Sequence, residues 1–374
     1  IIIYSTMKKY LLLFLFSQIF YAQENALVKQ NDKFGYINKT GNFSIEPQYK
    51  VAKNFSDGLA AVEKDGKWGF INSKGEMVIA PIYSNAKYFN SGICVVEKDK
   101  KWFYINKKGE ELKMPASDKV FDFEDGVAFI KVNDKVGLIN PKGEIIVQPT
   151  YQVIKSFEKG FAKVKQNDKW GIIDNKGKLV VETIYDEVGS YYKNTTWGRL
   201  GTAFGLVIAN KFQAIDGVDK IWDFLYQDVT YARKNDKIGF IDLKGNWIIE
   251  PKFDKAKAFH KNLAPVCINK KWGYVNLKGE VVIGLSYPDA EIFSKDGLAP
   301  VKIKEWGFID EKGKLVIPAE YQITAGGLAS MFKEDDKGFV NGLARVKHKG
   351  KWGFITKEGK VLGDKWFDNA ELFQ

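Results

Sequence analysis

The stretch Leu59-Ala-Ala-Val-Glu-Lys-Asp-Gly-Lys-Trp-Gly-Phe-Ile-Asn-Ser-Lys-Gly-Glu-Met-Val-Ile-Ala-Pro-Ile-Tyr83 decides how this chain folds. Leu59 to Glu63 alternates and is β-prone, which predicts a first strand. Lys64-Asp65-Gly66-Lys67 has the composition of a tight hairpin turn, and Trp68 to Ile71 predicts a second strand. Asn72-Ser73-Lys74-Gly75 reads as a second tight turn. Glu76 to Ala80 then predicts a third strand, which Pro81 is expected to stop. Beyond it Tyr83, Ala86 and Phe89 follow at spacings of three, which fits a short turn, a helical loop or a bent fourth strand.

The same pattern recurs along the chain. The apolar residue of each second strand falls at Phe34, Trp68, Trp102, Val136, Trp170, Phe204, Ile238, Trp272, Trp306 and Trp352, with eight successive intervals of 34 residues and a last one of 46. Glycine follows it in nine of the ten units, the exception being Phe103. A second glycine lies seven residues after it in all but the sixth unit, and proline lies thirteen residues after it at Pro47, Pro81, Pro115, Pro149 and Pro251. Chance does not produce that register. The expected organisation is an all-β array of tandem 34-residue meanders, about ten units starting near 25, 59, 93, 127, 161, 195, 229, 263, 297 and 343.

These residues resemble the WG-repeat family (the WG containing repeat, KWG type), named for the pair present here as Trp68-Gly69, Trp170-Gly171, Trp272-Gly273, Trp306-Gly307 and Trp352-Gly353. Trp102 holds the same position without its glycine. The Gly-Leu-Ala and Pro-x-Tyr elements extend the likeness from about Asn25 to Phe373. The resemblance implies a bacterial, often exported repeat protein with no defined catalytic residues.

A 34-residue meander cannot bury both its faces, so neighbouring units must stack. Two arrangements satisfy this. Propeller blades commonly use 40 or so residues, and here the chain starts and ends in phase with its repeat, Ala26-Leu27-Val28 opening as a first strand and Phe367 to Phe373 closing as a last Tyr-Ala-Phe-type segment. A ring closed by a shared strand is expected to begin and end within a unit. The sequence is therefore read as an open, twisted, solenoid-like stack, with a closed β-propeller-like ring as the alternative.

The ends and the composition bound the setting. Lys8 and Lys9 precede a short apolar run, Tyr10 to Phe20, and Ala22 offers a cleavage point, so a Sec-type signal peptide is expected from Met7 to about Ala22 and the mature array over 23–374. The run is too short for a membrane span, and no other is long enough. The expected location is the periplasm, the cell surface or the medium. The formal charge is +11, or +9 without Lys8 and Lys9, with lysines interleaved among carboxylates along the whole chain. That distribution and an exported setting exclude nucleic acid, and leave a solvated surface or contact with acidic envelope polymers. Cys94 and Cys267 lack ligand-like spacing and read as small buried hydrophobes.

Two places break the repeat. The sixth unit, about Thr195 to Asp228, keeps Phe204-Gly205 but loses the second glycine, the proline and the tyrosine. It replaces its first strand by Trp197-Gly198-Arg199-Leu200-Gly201-Thr202 and adds aromatics. The plainer reading is a decayed central repeat; the functional one is a binding patch of Trp197, Arg199, Trp222, Phe224 and Tyr226. The second break is a 12-residue insertion, about 322–336, expected to leave the array as a surface loop. The repeating tryptophans are read as packing residues, since a sugar platform would not accept Val136 or Ile238 at the same position.

No catalytic motif and no metal-ligand spacing is found. His260 and His348 stand alone in lysine-rich stretches, and Gly198 to Gly205 lacks the helix and Lys-Ser/Thr of a phosphate loop. No cofactor is expected. The expected function is a non-enzymatic protein-binding or structural scaffold of the cell envelope, with an envelope protein or an acidic or glycan polymer as partner. A polysaccharide- or peptidoglycan-binding module is the alternative, and a hydrolase with an unrecognised site the more distant one.

Overall fold

A computed structural model describes residues 24–323 and 337–374. The expected leader and most of the expected insertion lie outside the described residues. Those residues form ten antiparallel sheets, eight of four strands and two of three, all meanders except that the first takes its fourth strand from Asn369–Ala370. The sheets follow one another around a ring, so the fold is a ten-bladed β-propeller.

Local chemistry explains each blade. In the first, Asn25–Gln30 pairs with Lys33–Asn38 through Asn31 and Asp32, whose φ angles of 49° and 60° make the two-residue turn that matches strand twist. Asn and Asp tolerate that conformation better than most residues. The second turn is set by a side chain: Asn72 Oδ1 accepts from the backbone N–H of Lys74 and of Glu76, both at 3.0 Å. Asn106, Asn140 and Asn276 repeat this bond pattern, as do Asp174, Asp242 and Asp310.

The Trp-Gly pair and the Pro-x-Tyr element turn out to be two sides of one bulge. Trp68 lies opposite Tyr83 and Phe70 opposite Ile79, so Gly69 alone faces Ala80, Pro81 and Ile82. The bulged strand crosses so close that a Cβ on Gly69 would sit 2.6 Å from Ile79 O and 2.8 Å from Pro81 N. Pro81 does not stop the strand as expected: Met77–Tyr83 runs through it, because the bulge asks no ladder donor of that residue. The same register joins Trp170 to Tyr185, Trp272 to Tyr287 and Trp306 to Tyr321.

Blades pack face to face through a recurring aromatic pair. Tyr36 meets Phe55 with ring centroids 4.7 Å apart, and the same nineteen-residue step gives Phe70–Phe89 at 4.8 Å, Phe240–Phe259 at 4.7 Å and Tyr274–Phe293 at 5.0 Å. In each pair the first ring belongs to one blade and the second to the inner edge of the next. Where the first is tyrosine its hydroxyl donates onward, as Tyr36 does to Lys53 O at 2.7 Å and Tyr274 to Glu291 O at 2.8 Å. Each such ring pair is worth about 0.5–1.5 kcal/mol beyond the area it buries.

The ring is closed, which corrects the open stack. The short strand Asn369–Ala370 pairs with Asn25–Gln30, becoming the fourth strand of the first blade. Backbone bonds extend the seam: Asp368 N to Lys29 O and Glu371 N to Leu27 O at 2.8 Å each, and a reciprocal pair between Asn25 and Gln374 at 3.1 Å. Phe354 meets Phe373 at 4.8 Å, the nineteen-residue pair once more. The repeat and the blade are out of phase. The Tyr-Ala-Phe-type segment after a unit's third strand supplies the inner strand of the following blade, as Asn85–Ala86 does for Ile93–Lys98. The last such segment, Asn369–Ala370, pairs with the first blade, which buries Ala26, Val28, Ile37, Phe354, Phe367 and Ala370 in one cluster. An in-phase start and end is thus what closure by a shared strand produces here.

The degenerate sixth unit is still a blade. Ala209 and Asn210, with φ of 46° and 63°, replace the longer second turn by a two-residue one. The following strand, Lys211–Ala214, pairs in continuous register from Ile208–Lys211 to Gly205–Ala214, so this blade has no bulge and no use for the lost proline.

Candidate binding cleft

The inner edge of the ring carries a repeated lysine. Lys53, Lys87, Lys155 and Lys257 occupy equivalent positions, and their Nζ atoms stand over the tryptophan fifteen residues later: Trp68 at 5.0 Å, Trp102 and Trp170 at 5.9 Å, and Trp272 at 5.0 Å. The tryptophans thus pack by one face and are capped by a lysine on the other. Their burial varies accordingly, from 8% exposed at Trp272 to 36% at Trp102. Two of these lysines also reach into the next blade. Lys53 donates to Ala86 O at 2.5 Å, and Lys257 donates to Ala290 O at 2.8 Å and pairs with the buried Glu291 at 2.8 Å. Each bridges its blade to the next.

Between the fifth and sixth blades a space stays open. Lys155 covers Trp170 without reaching Val188, the residue aligned with Ala86 and Ala290. A cleft of about 430 Å³ results, lined by Trp170, Lys155, Glu158 and Lys163 from the fifth blade and by Glu187, Val188 and Trp197 from the sixth. Both tryptophans are half-buried.

The far wall is built with care. Gly189 stands where the repeated lysine would be, and a Cβ there would lie 2.2 Å from Trp197 Nε1 and 2.4 Å from Asp223 Oδ1. Through that gap Trp197 donates to Asp223 Oδ1 at 2.6 Å, and Ser190 N donates to the same oxygen at 2.9 Å. Ser190 Oγ lies 2.8 Å from Glu158 Oε2 and 2.9 Å from Asp223 Oδ2, tying three blades together. Arg199 donates to Glu187 Oε1 at 2.7 Å and to Gly201 O at 2.8 Å. Beneath it, Lys169 beside Asp186 holds that carboxyl below the usual carboxylate range.

The structure distributes the five expected patch residues rather than gathering them. Trp197 lines the cleft and Arg199 fixes its Glu187. Phe224 is 2% exposed and stacks on Tyr192 inside the core, so it offers no surface to a ligand. Trp222 stacks on Tyr231 at 4.6 Å under Lys220, and Tyr226 packs on the His260 ring at 4.6 Å. Sequence reasoning missed Lys155, Glu158, Lys163, Trp170, Glu187 and Asp223. Position 189 is glycine where 53, 87, 155 and 257 are lysine, but 121, 223 and 291 also depart from lysine, so that break alone did not single out the cleft.

Each lone histidine links two neighbouring blades. His260 Nδ1 is 2.5 Å from Phe293 O and His348 Nδ1 is 3.1 Å from Glu320 O. Both cysteines are buried. Among the described residues no group of three or more His, Cys, Asp or Glu side chains is placed to hold a metal ion, and no helix is long and apolar enough to cross a membrane.

In fold the chain is similar to the crystal structure of a eukaryotic initiation factor, with a TM-score of 0.51 and 10% identity over 94% of this chain and 98% of that one. That likeness is one of fold alone. More distant are the extracellular domain of a hybrid two component system from B. thetaiotaomicron (TM-score 0.32, 10% identity, 90% of this chain and 57% of that one) and Hsv2p of Kluyveromyces lactis (TM-score 0.24, 10% identity, 70% and 92%). No curated protein matches the chain. The WG containing repeat profile matches nine times, over residues 34–68, 68–102, 102–135, 137–170, 170–197, 238–272, 272–305, 306–324 and 337–352. It passes over 198–237, where the sixth unit departs from the repeat. With more than half its length matched in register, the chain belongs to the WG containing repeat family.

Proposed function

We propose that the protein is an exported, non-enzymatic binding scaffold of the cell envelope that holds its ligand in the cleft between the fifth and sixth blades. The observation that carries this reading is the pair Trp170 and Trp197, contributed half-buried by neighbouring blades to one cleft of about 430 Å³. A concave site of that size, with large aromatic walls and a few convergent polar groups, is the usual form of a small-ligand or chain-binding site. A closed ring supports the role of scaffold, because it holds the two walls at a fixed separation and so lowers the ordering cost of binding. The apolar run Tyr10 to Phe20 behind Lys8 and Lys9 supports export.

The test is retention of a fractionated cell-envelope extract on immobilised protein comprising residues 23–374. Wild-type protein retains a component, and Trp170→Ala, assayed well below its own melting temperature so that it is folded, loses it. Equal retention by both proteins overturns the reading.

A further inference from the structure

We infer that the cleft between the fifth and sixth blades recognises a neutral saccharide chain. This rests on the binding reading above and names the ligand class for the same site. Trp170 and Trp197 give the cleft its apolar aromatic lining, and the C–H face of a pyranose ring is the kind of surface that stacks on an indole. At Trp170 the sugar takes the place of the Lys155 ammonium, which stands 5.9 Å from the ring centroid. Around them stand two cations, Lys155 and Lys163, and two carboxylates, Glu158 and Glu187. Donors and acceptors in equal number, with balanced charge, suit hydroxyl groups, each of which donates and accepts. An anionic polymer would meet a carboxylate on each wall, Glu158 and Glu187, and a cationic peptide the two lysines of the fifth blade; each like-charge contact is unfavourable.

The polar groups are also held in place before any ligand arrives. Glu187 is fixed by Arg199 at 2.7 Å, Glu158 by Ser190 at 2.8 Å and Trp197 by Asp223 at 2.6 Å. Several of the departures from the repeat in this part of the chain act on this one cleft: Gly189 in place of lysine, Trp197 and Arg199 in the replaced first strand, and Asp223 in the seventh blade. At Lys53 and Lys257, by contrast, the lysine bridges to the next blade.

The experiment titrates protein comprising residues 23–374 with neutral oligosaccharides (glucose, galactose, mannose and N-acetylglucosamine oligomers) and with matched uronic-acid oligomers, reading tryptophan emission and heat. A neutral oligomer is expected to bind, with little dependence on salt. Trp170→Ala should weaken it by about tenfold or more. Glu187→Gln, at an exposed side chain that leaves the fold intact, should weaken it while melting unchanged. Binding confined to uronic-acid oligomers with a steep salt dependence, or no binding by any oligomer, overturns the inference. The envelope retention assay separates the two levels. Retention that needs Trp170 but survives glycan oxidation of the extract, and is lost on proteolysis, sinks the saccharide while the binding reading stands; retention indifferent to Trp170 sinks both.

Discussion

Trp197 donates its indole N–H to Asp223 Oδ1 at 2.6 Å, across a gap that exists because residue 189 is glycine. Two blades are joined by that bond, and the cleft wall takes its shape from it. Gly189→Ala forces a methyl group to within 2.2 Å of the indole nitrogen. The expected cost is about 1–3 kcal/mol, as for other overpacked sites. Equilibrium urea denaturation measures it, and a red shift of tryptophan emission should accompany it as Trp197 swings toward water.

The Trp-Gly pair can be tested against a glycine of another kind. Gly69→Ala drives its Cβ to 2.6 Å from the main-chain oxygen of Ile79, which cannot retreat without breaking the bulge. Gly92→Ala meets nothing within 4 Å, and costs only the left-handed strain of φ 80°, about 1–2 kcal/mol. Gly69→Ala should therefore lower the denaturation midpoint clearly more than Gly92→Ala. A reversed order would show that close approach is not what the pair supplies.

Closure of the ring rests on the last eight residues. Removing 367–374 uncovers the paired edge of Asn25–Gln30 and the cluster around Ala26 and Val28, and an open strand edge invites pairing with another chain. The truncated protein should associate, seen as a rise in mass by light scattering. Within the full chain, Phe367→Ala deletes a side chain 2% exposed and should cost about 3–5 kcal/mol in chemical denaturation.

The seam should also loosen in acid. Asp368 is held below the usual carboxylate range by its ion pair with Lys351 and then by the N–H of Asn31. Its folded-state pKa is depressed, so its contribution to stability is present above the unfolded value of about 3.9 and is lost as pH falls through the folded one. Amide protection at Asn31 and Asp368, whose N–H groups donate across the seam, should decline below about pH 4 in the wild type. Asp368→Asn should remove that pH step; an identical step in the variant would assign it to another group.

Burial pushes the Cys94 thiol up to about 12, and Cys267 is raised from its ordinary value for the same reason. At pH 8 neither should react with a maleimide while the protein is folded, and both should react in denaturant. Rapid labelling of the native protein would place Cys94 at a surface.

Sequence alone determined the strands, the turns and the count of repeats, because these follow from local chemistry repeated in register. Asn31-Asp32 can make its turn in any array, and Trp68, Gly69 and Pro81 are fixed by a bulge that lies within one unit. What the tertiary structure decided was which strand each Tyr-Ala-Phe segment joins. That choice shifts the blade out of phase with the repeat and turns an open stack into a ring, since Ala370 meets Val28 across nearly the whole chain. The cleft was half legible. Trp197 and Arg199 announced themselves by breaking the pattern, whereas Trp170, Lys155 and Glu158 obey it or vary without signal, and matter because of what lies across from them. Phe224 was misplaced for the converse reason: an unusual aromatic in sequence is an ordinary core residue once Tyr192 packs against it. Distances between blades are set by ring closure, and no local property of the chain carries them.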